Sequence, residues 1–344
     1  MGKADTVKGL AYLLFSLMIF TTCEKPLSNG TNSPNPGVYY WQTTWEFDAK
    51  DADLAKSIGL NQLYLRLFDL DWDYNRKETL PKGKIALPDS LRALNGLTLT
   101  PVVFIVNRVF REEANPEGLA EKVGEAIDRI TENHPPLASA PRWQIDCDWT
   151  PGTRDAYFSF LRKLQSLHPT KTLSVTVRLH QYRDRTTNGI PPVTEGLLMC
   201  YNMEPVSKRQ IKNAIYNLSL MSGYLKAPPY PLPLDAALPL FEWGAAFRED
   251  QFLGITAPPA SMNTESMGNN QFLLLRDTTS GGRFLRAGDE IRYDGPESKE
   301  NLYRGIQLLR QKPEIRDLLF FDWQPDLMDK FGTKSLTEDF YKGQ

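Results

Sequence analysis

Residues 143–150 read Trp-Gln-Ile-Asp-Cys-Asp-Trp-Thr, and apolar side chains alternate with polar ones along the run. Such alternation places successive side chains on opposite faces of a barrel strand. With Ile145 and Cys147 turned outward to the helices, Asp146 and Asp148 both point into the barrel. Two carboxylates on one face of a buried strand are costly unless they are paired or take part in chemistry. We therefore predict that this strand ends at the functional site.

Short apolar runs alternate with amphipathic stretches from residue 37 onward, which is typical of βαβ units and a parallel sheet. The fold class predicted is α/β, a (β/α)8 TIM barrel over residues 37–344. The eight predicted strands are 38–43, 62–68, 99–106, 143–148, 173–179, 196–201, 237–243 and 317–323. The predicted helices are 49–58, 116–133, 154–167, 207–224, 299–311 and 335–341, and the connection 181–194 shows no helical pattern.

The connection after the seventh strand is far longer than the usual few residues. We predict an insertion at about 249–296, with a β-hairpin formed by 272–276 and 283–293 around a glycine-containing turn. Because it leaves the carboxyl end of a barrel strand, it should stand beside the active-site face. It is interpreted either as a lid or substrate wall, or as a decorative insertion.

The N-terminal residues resemble an export signal and not part of the fold. Lys3 and Lys8 precede an apolar run at 9–20 that is too short to span a bilayer, and Cys23 follows at the expected cleavage point. We predict a lipoprotein signal over 1–23 with lipidation of Cys23, then a flexible tether over 24–36. The alternative is a plain secretory signal with an incidental cysteine. The lipid anchor implies a location in the cell envelope, facing the periplasm or the cell exterior.

Composition excludes several classes of function. The 40 Lys and Arg residues balance 42 Asp and Glu residues, which disfavours a bulk nucleic-acid binder. The three histidines lack metal-ligand spacing, and no glycine-rich phosphate loop or serine nucleophile motif is present. We therefore expect no cofactor and no metal, a monomer, and a glycan as the ligand. Cys147 and Cys200 face outward from non-adjacent strands, so we expect no disulfide between them.

Polar and aromatic residues at other strand ends complete the candidate site. Arg178 ends the fifth strand facing inward, where it could neutralise Asp146. The remaining candidates for substrate binding are Tyr201, Asn202, Trp243, Asp322 and Trp323, and Glu242 ends the seventh strand as a candidate catalytic carboxylate. The two tryptophans could floor a sugar subsite or plug the top of the barrel.

The order of these strand ends resembles the chitinase-like glycoside hydrolases of family 18 and their relatives. Residues 145–149 are similar to the family's alternating aspartates before a tryptophan, and 199–202 to its Met-x-Tyr-Asp run. Residues 238–244 are similar to its strand-7 segment, and Trp323 falls where the family has a strand-8 tryptophan. The chain also resembles a bacterial lipoprotein family of unassigned function that shares this barrel. The resemblance implies a glycan-directed barrel.

The resemblance breaks at the catalytic acid. The family's general-acid Glu comes two residues after its last Asp, where this chain has Thr150, and Asn202 replaces the Asp of the strand-6 motif. A hydroxyl cannot protonate a glycosidic oxygen at neutral pH. Three hypotheses follow: a hydrolase with Asp148 as acid/base and Glu242 or Asp322 as its partner, a non-catalytic glycan-binding lipoprotein, or a structural lipoprotein that uses the insertion as an interaction surface.

Overall fold

The computed structural model describes residues 35–91, 94 and 96–342. Its strands, numbered along the chain, are β1 (Gly37–Tyr40), β2 (Gln62–Asp73), β3 (Glu78–Lys82), β4 (Thr98–Ile105), β5 (Arg142–Asp146), β6 (Thr172–Arg178), β7 (Glu195–Met199), β8 (Leu234–Pro239), β9 (Trp243–Arg248), β10 (Gln251–Thr256), β11 (Thr264–Gly268), β12 (Gln271–Leu274), β13 (Thr278–Ser280), β14 (Arg283–Leu285), β15 (Glu290–Asp294) and β16 (Ile315–Phe321). Its α-helices are α1 (Ala49–Ser57), α2 (Val109–Glu112), α3 (Pro116–Thr131), α4 (Pro135–Ala138), α5 (Arg154–Leu167), α6 (Leu179–Arg183), α7 (Arg185–Asn188), α8 (Leu218–Leu225), α9 (Lys299–Arg310), α10 (Pro325–Phe331) and α11 (Thr333–Tyr341).

Eight parallel strands close into a barrel, which confirms the predicted fold. Their order is β1, β2, β4, β5, β6, β7, β8 and β16, and β1 pairs with both β16 and β2 to complete the ring. Beyond the barrel rim, β2 continues and pairs antiparallel with β3. All eight predicted strands overlap barrel strands. The period-2 alternation that marks a strand in the sequence also indicates which of its side chains face the core.

The outer layer follows the amphipathic pattern of the sequence. Helix α3 buries Leu119, Val123 and Ile127, and α5 buries Tyr157, Leu161 and Leu164, at the spacing of one helix face. Asn115 caps α3, since its Oδ1 accepts a hydrogen bond from the Gly118 amide at 2.9 Å. These helices hold the barrel strands in place and so fix the positions of the strand ends.

The insertion is larger than the predicted hairpin. Strands β9 to β12 and β15 form a five-stranded antiparallel sheet in the order β10-β9-β15-β12-β11, and β13 and β14 form a separate two-stranded ribbon. The predicted pairing is present as β12 with β15. The barrel strand was predicted to run to residue 243, but it ends at Pro239, and Trp243 already begins the insertion sheet.

The structure differs from the sequence-based expectation in two of the connecting segments. Residues 207–217 are not helical, because the Asn213 side chain accepts hydrogen bonds from the Ile215 and Tyr216 amides and Asn217 caps a helix that starts only at Leu218. Conversely, the connection 181–194 contains part of α6 and all of α7. Short helices of this length leave little periodic signal in the sequence.

Several predictions fall outside the described residues. The signal segment 1–23, the lipidation site Cys23 and most of the tether lie in that part of the chain. Within the described part, no helix is both long and apolar enough to cross a bilayer. Cys147 and Cys200 are both buried and carry free thiols.

Candidate active site at the carboxyl end of the barrel

Asp146 lies at the carboxyl end of β5, buried and facing the barrel interior as predicted. Its Oδ1 accepts a hydrogen bond of 2.6 Å from the Thr176 hydroxyl on the neighbouring strand β6. Burial, reinforced by the negative charge of Asp148, raises the pKa of Asp146 to about 7. Asp146 is therefore a carboxyl group that can keep its proton near neutral pH.

Asp148 is held in a bidentate ion pair with Arg178. The guanidinium Nε and Nη2 donate to Oδ1 and Oδ2, each at 2.5 Å, and Nη1 donates to the Asn202 carbonyl at 3.1 Å. Arg178 therefore faces the site as predicted, but its direct partner is Asp148 and not Asp146. Arg178 is the last residue of β6, and Asp148 lies two residues beyond the end of the neighbouring strand β5, so the two side chains meet at the barrel rim. Both oxygens of Asp148 are engaged although 41% of the side chain is exposed.

Glu242 is bound by two side chains from distant parts of the chain. It follows β8 in the short link to β9, and its Oε2 accepts hydrogen bonds from the Tyr293 hydroxyl at 2.8 Å and the Lys330 ammonium at 3.1 Å. Tyr293 belongs to the insertion and Lys330 to α10. The Glu242 carboxylate thus joins the insertion to the barrel.

A cluster of aromatic rings forms the floor of the site, with Phe321 at its centre. The Phe321 ring contacts Tyr201 in a stacked arrangement at 4.8 Å and lies 5.3–5.4 Å from Tyr39, Trp41 and Phe241. Trp41, Phe241 and Phe321 are half-buried, whereas Tyr39 and Tyr201 are buried. Sequence reasoning missed Trp41 and Phe321, which lie inside predicted strands but at or just past the ends of the observed strands β1 and β16.

Arg66 adds a second ion pair beside the rings. Its guanidinium lies over the Trp41 ring at 5.3 Å from the centroid and pairs with Asp69, with Nε donating to Oδ1 at 2.6 Å. The rim therefore carries two Arg–Asp pairs, Arg66–Asp69 and Arg178–Asp148, around the ring cluster. Rings beside charged hydrogen-bonding groups suit a ligand with apolar faces and many hydroxyls.

The two tryptophans predicted to contact substrate occupy different places. Trp323 is 5% exposed, packs on Phe47 at 5.0 Å and donates from its indole to Asp51 at 3.2 Å, so it joins β16 to α1. Trp243 lies in the insertion sheet and donates to Asp294 at 3.2 Å, with its ring 5.3 Å from Phe241. Of the two, Trp243 borders the ring cluster, whereas Trp323 lies beyond the end of β16 and packs behind the cluster, toward α1.

Asn202 and Asp322 take up special positions at two strand ends. Asn202 has φ of +50°, a left-handed conformation that asparagine tolerates better than most residues, and its carbonyl serves Arg178. A cis peptide bond joins Phe321 to Asp322. Burial raises the pKa of Asp322 to about 7, and Gln324 donates to it at 3.3 Å.

Thr150 stands where the resemblance implies a catalytic glutamate. The Thr150 amide donates a hydrogen bond to the Thr153 hydroxyl at 3.0 Å, and the two threonine hydroxyls are 3.2 Å apart. Thr153 in turn donates to Asn107 at 2.6 Å. The position has thus become part of the turn that leads into α5.

The raised pKa of Asp146 predicts how stability changes with pH. A carboxyl with a folded pKa of about 7 and an unfolded value near 4 stabilises the fold fully below pH 4, and this contribution is lost as pH rises toward 7. Asp146→Asn, which keeps an oxygen for Thr176, should remove up to about 4 kcal/mol of that decline. Urea unfolding of both proteins from pH 4 to 8 measures the difference, and equal slopes would contradict the assignment.

Metal chemistry has no evident ligand set in the described part of the chain. No group of three or more His, Cys, Asp or Glu side chains there could hold a metal ion. The groups at the rim that can contact a ligand are therefore carboxyl groups, guanidinium groups and aromatic rings.

Comparison with known proteins identifies the fold. The sequence matches no protein-family model and no curated protein. By structure, it is similar to the spore cortex-lytic enzyme of Bacillus cereus, with 13% identity and a TM-score of 0.52 over 89% of this chain and 74% of that one. It is also similar to a chitinase from Bacillus thuringiensis, with 11% identity and a TM-score of 0.52 over 90% of this chain and 70% of that one. A GH18 chitinase mutant from Cycas revoluta, solved with (GlcNAc)4, is similar with 10% identity and a TM-score of 0.52 over 89% of this chain and 99% of that one. The protein has the chitinase-like barrel fold of glycoside hydrolase family 18.

Proposed function

We propose that the carboxyl end of the barrel binds a glycan without hydrolysing it. The observation that carries the proposal is the bidentate pair between Asp148 and Arg178, next to Thr150 in the place of a catalytic acid. Both Asp148 oxygens accept hydrogen bonds from the Arg178 guanidinium, so the side chain acts as an ion-pair partner in this proposal and not as a general acid.

The second predicted catalytic carboxylate supports the same conclusion. A hydrolase of the retaining type needs two carboxyl groups about 5 Å apart and facing one cleft. Glu242 is bound to Tyr293 and Lys330, and its side chain is 17% exposed. Freeing it for attack on a sugar would break its ion pair with Lys330 of α10 and the hydrogen bond from Tyr293 of the insertion.

The ring cluster supplies the binding surface in this proposal. Half-buried rings offer flat apolar faces to sugar rings, and the guanidinium groups of Arg66 and Arg178 keep N–H donors for hydroxyl or amide oxygens. Because the Cycas revoluta chitinase was solved with (GlcNAc)4, that oligosaccharide is the first probe.

Replacing Trp41 should separate binding from folding. Trp41→Ala removes a half-buried ring from the cluster, and we expect the Kd for (GlcNAc)4 to rise at least tenfold, or about 1.4 kcal/mol. Trp45→Ala is the matched control, since the Trp45 ring packs on Tyr40 and Phe47 instead of the cluster. Isothermal titration calorimetry measures both, and equal Kd values for the two variants would count against the site.

Hydrolysis remains the second candidate because of one observation. Asp146 has a pKa of about 7 and could in principle act as a general acid. However, Asp146 is only 7% exposed and already accepts a hydrogen bond from Thr176. This hypothesis requires that wild-type protein cleave a glycan and that Asp146→Asn abolish the cleavage.

We further propose that the protein is exported and anchored by a lipid on Cys23, since a short apolar run follows two lysines and ends just before that residue. Mass spectrometry of protein from membranes should find Cys23 as a diacylated first residue. An unmodified Cys23 within a longer chain would refute this location.

A further inference from the structure

A polar groove of about 710 Å³ runs along the outer wall of the barrel between α8 and α9. Helices that flank each other usually meet through apolar stripes. Here the apolar face of α9 is used against the barrel, and the sides that line the groove carry polar residues at helical spacing. These residues are Ser219 and Ser222 of α8, Lys226 at its C-cap, and Asn301, Arg304 and Gln307 of α9.

The charge of the groove is positive. Lys212, Lys226 and Arg304 line it, and none of the three forms an ion pair with another described residue. Glu297 is the acid among its lining residues, and the Glu297 oxygens accept hydrogen bonds from Asn270 and Asn301, each at 3.0 Å. Three cations therefore face one carboxylate whose oxygens are already engaged.

Two helix N-termini add to this potential. Helix α8 begins at Leu218 after the cap Asn217, and α9 begins at Lys299 after the cap Ser298. Asn217, Leu218 and Ser219 at the start of α8 line the groove, and so do Glu297 and Asn301, which flank the first residues of α9. The N-terminal ends of helices carry partial positive charge and favour anions.

Hydrogen-bond donors in the groove are still available. The Ser219 and Ser222 hydroxyls and the Gln307 amide form no hydrogen bond with other described residues. Tyr216, the aromatic residue in the lining, is buried and its hydroxyl donates to the Asn301 carbonyl at 3.2 Å. Without an exposed ring, the groove lacks the flat apolar surface that a neutral sugar would use.

We propose that this groove binds an anionic group of the phosphate or sulfate class, separate from the glycan site at the carboxyl end of the barrel. Lys226 at the C-cap of α8 and Arg304 of α9 both line the groove, so an oxyanion in it is bound by the charge of both residues and by the serine hydroxyls of α8. Arg304 supplies the planar donor fork that suits a tetrahedral oxyanion.

The test compares the full-length protein with the double variant Lys226→Gln/Arg304→Gln in the presence of inorganic phosphate. At constant ionic strength with chloride as the reference salt, the wild type should bind phosphate and the variant should bind at least tenfold more weakly. The variant Arg76→Gln/Lys122→Gln, which removes two exposed cations outside the groove, should bind like the wild type.

Vesicles of phosphatidylcholine with and without phosphatidylglycerol distinguish the source of the group. Binding to the anionic vesicles that the groove variant loses would identify a lipid headgroup. Phosphate binding without such vesicle binding would identify a free or glycan-borne anion. The proposal is overturned if the wild type does not distinguish phosphate from chloride, or if the groove variant binds phosphate as tightly as the wild type.

Discussion

Replacing Asp294 by alanine is expected to destabilise the insertion by roughly 3–5 kcal/mol, because it leaves the Arg292 guanidinium buried without a counter-charge. Both side chains are fully buried, and Arg292 donates to Asp294 through Nε at 2.8 Å and Nη2 at 2.9 Å. Asp294 also accepts from the Ala214 amide and the Trp243 indole. Arg292 in turn donates to the Lys208 and Val206 carbonyls. This pair therefore connects the insertion to residues 203–217.

Native-state hydrogen exchange of the β9 and β15 amides measures the effect. Arg209→Ala is a suitable control, because Arg209 pairs with Glu290 at a partly exposed position in the same region, where such pairs contribute about 0–1 kcal/mol. Replacing both Arg292 and Asp294 by apolar residues should cost much less than Asp294→Ala alone. If Asp294→Ala and Arg209→Ala lose the same protection, the buried pair does not hold the insertion.

Asp235 should stabilise the barrel as Asp294 stabilises the insertion. It is 1% exposed near the amino ends of the barrel strands, where it lies 3.3 Å from Arg142, 3.1 Å from Arg316 and 3.2 Å from the Tyr64 hydroxyl. Asp235→Ala leaves the Arg142 and Arg316 guanidinium groups with Glu195 as their remaining carboxylate partner, and we expect a loss of roughly 3 kcal/mol in the free energy of unfolding.

Chemical denaturation checks this value against two comparisons. Asp235→Asn keeps an oxygen for Tyr64 and should cost less than Asp235→Ala. Asp184→Ala removes a half-exposed pair with Arg183 and should change stability by at most about 1 kcal/mol. A loss in Asp235→Ala no larger than in Asp184→Ala would show that the arginines at this end of the barrel do not depend on Asp235.

The fold was predictable because its signal is local. Each barrel strand alternates over a few residues, and the alternation in 143–148 predicted the inward position of Asp146, which accepts a hydrogen bond from Thr176 on the neighbouring strand. The helices α3, α5 and α9 repeat their apolar residues at the helical period and were predicted within two residues of their observed ends.

The site was less predictable because its contacts join distant parts of the chain. The partners of Glu242 come from 51 and 88 residues away, so no local pattern around Glu242 indicates that this carboxylate is already bound. The ring at the centre of the floor is Phe321 and not Trp323. Alternation gives both residues the same side of an ideal strand, but the strand ends at Phe321 and Trp323 turns back to α1.

The most direct test of glycan binding without hydrolysis is to incubate the protein with (GlcNAc)4 under conditions where calorimetry shows binding, and to analyse the sugar by mass spectrometry. The account predicts that the tetrasaccharide is bound and recovered intact, with no shorter oligomer above the level of a protein-free control. Release of shorter oligomers by the wild type, lost in Asp146→Asn, would contradict it and identify a hydrolase.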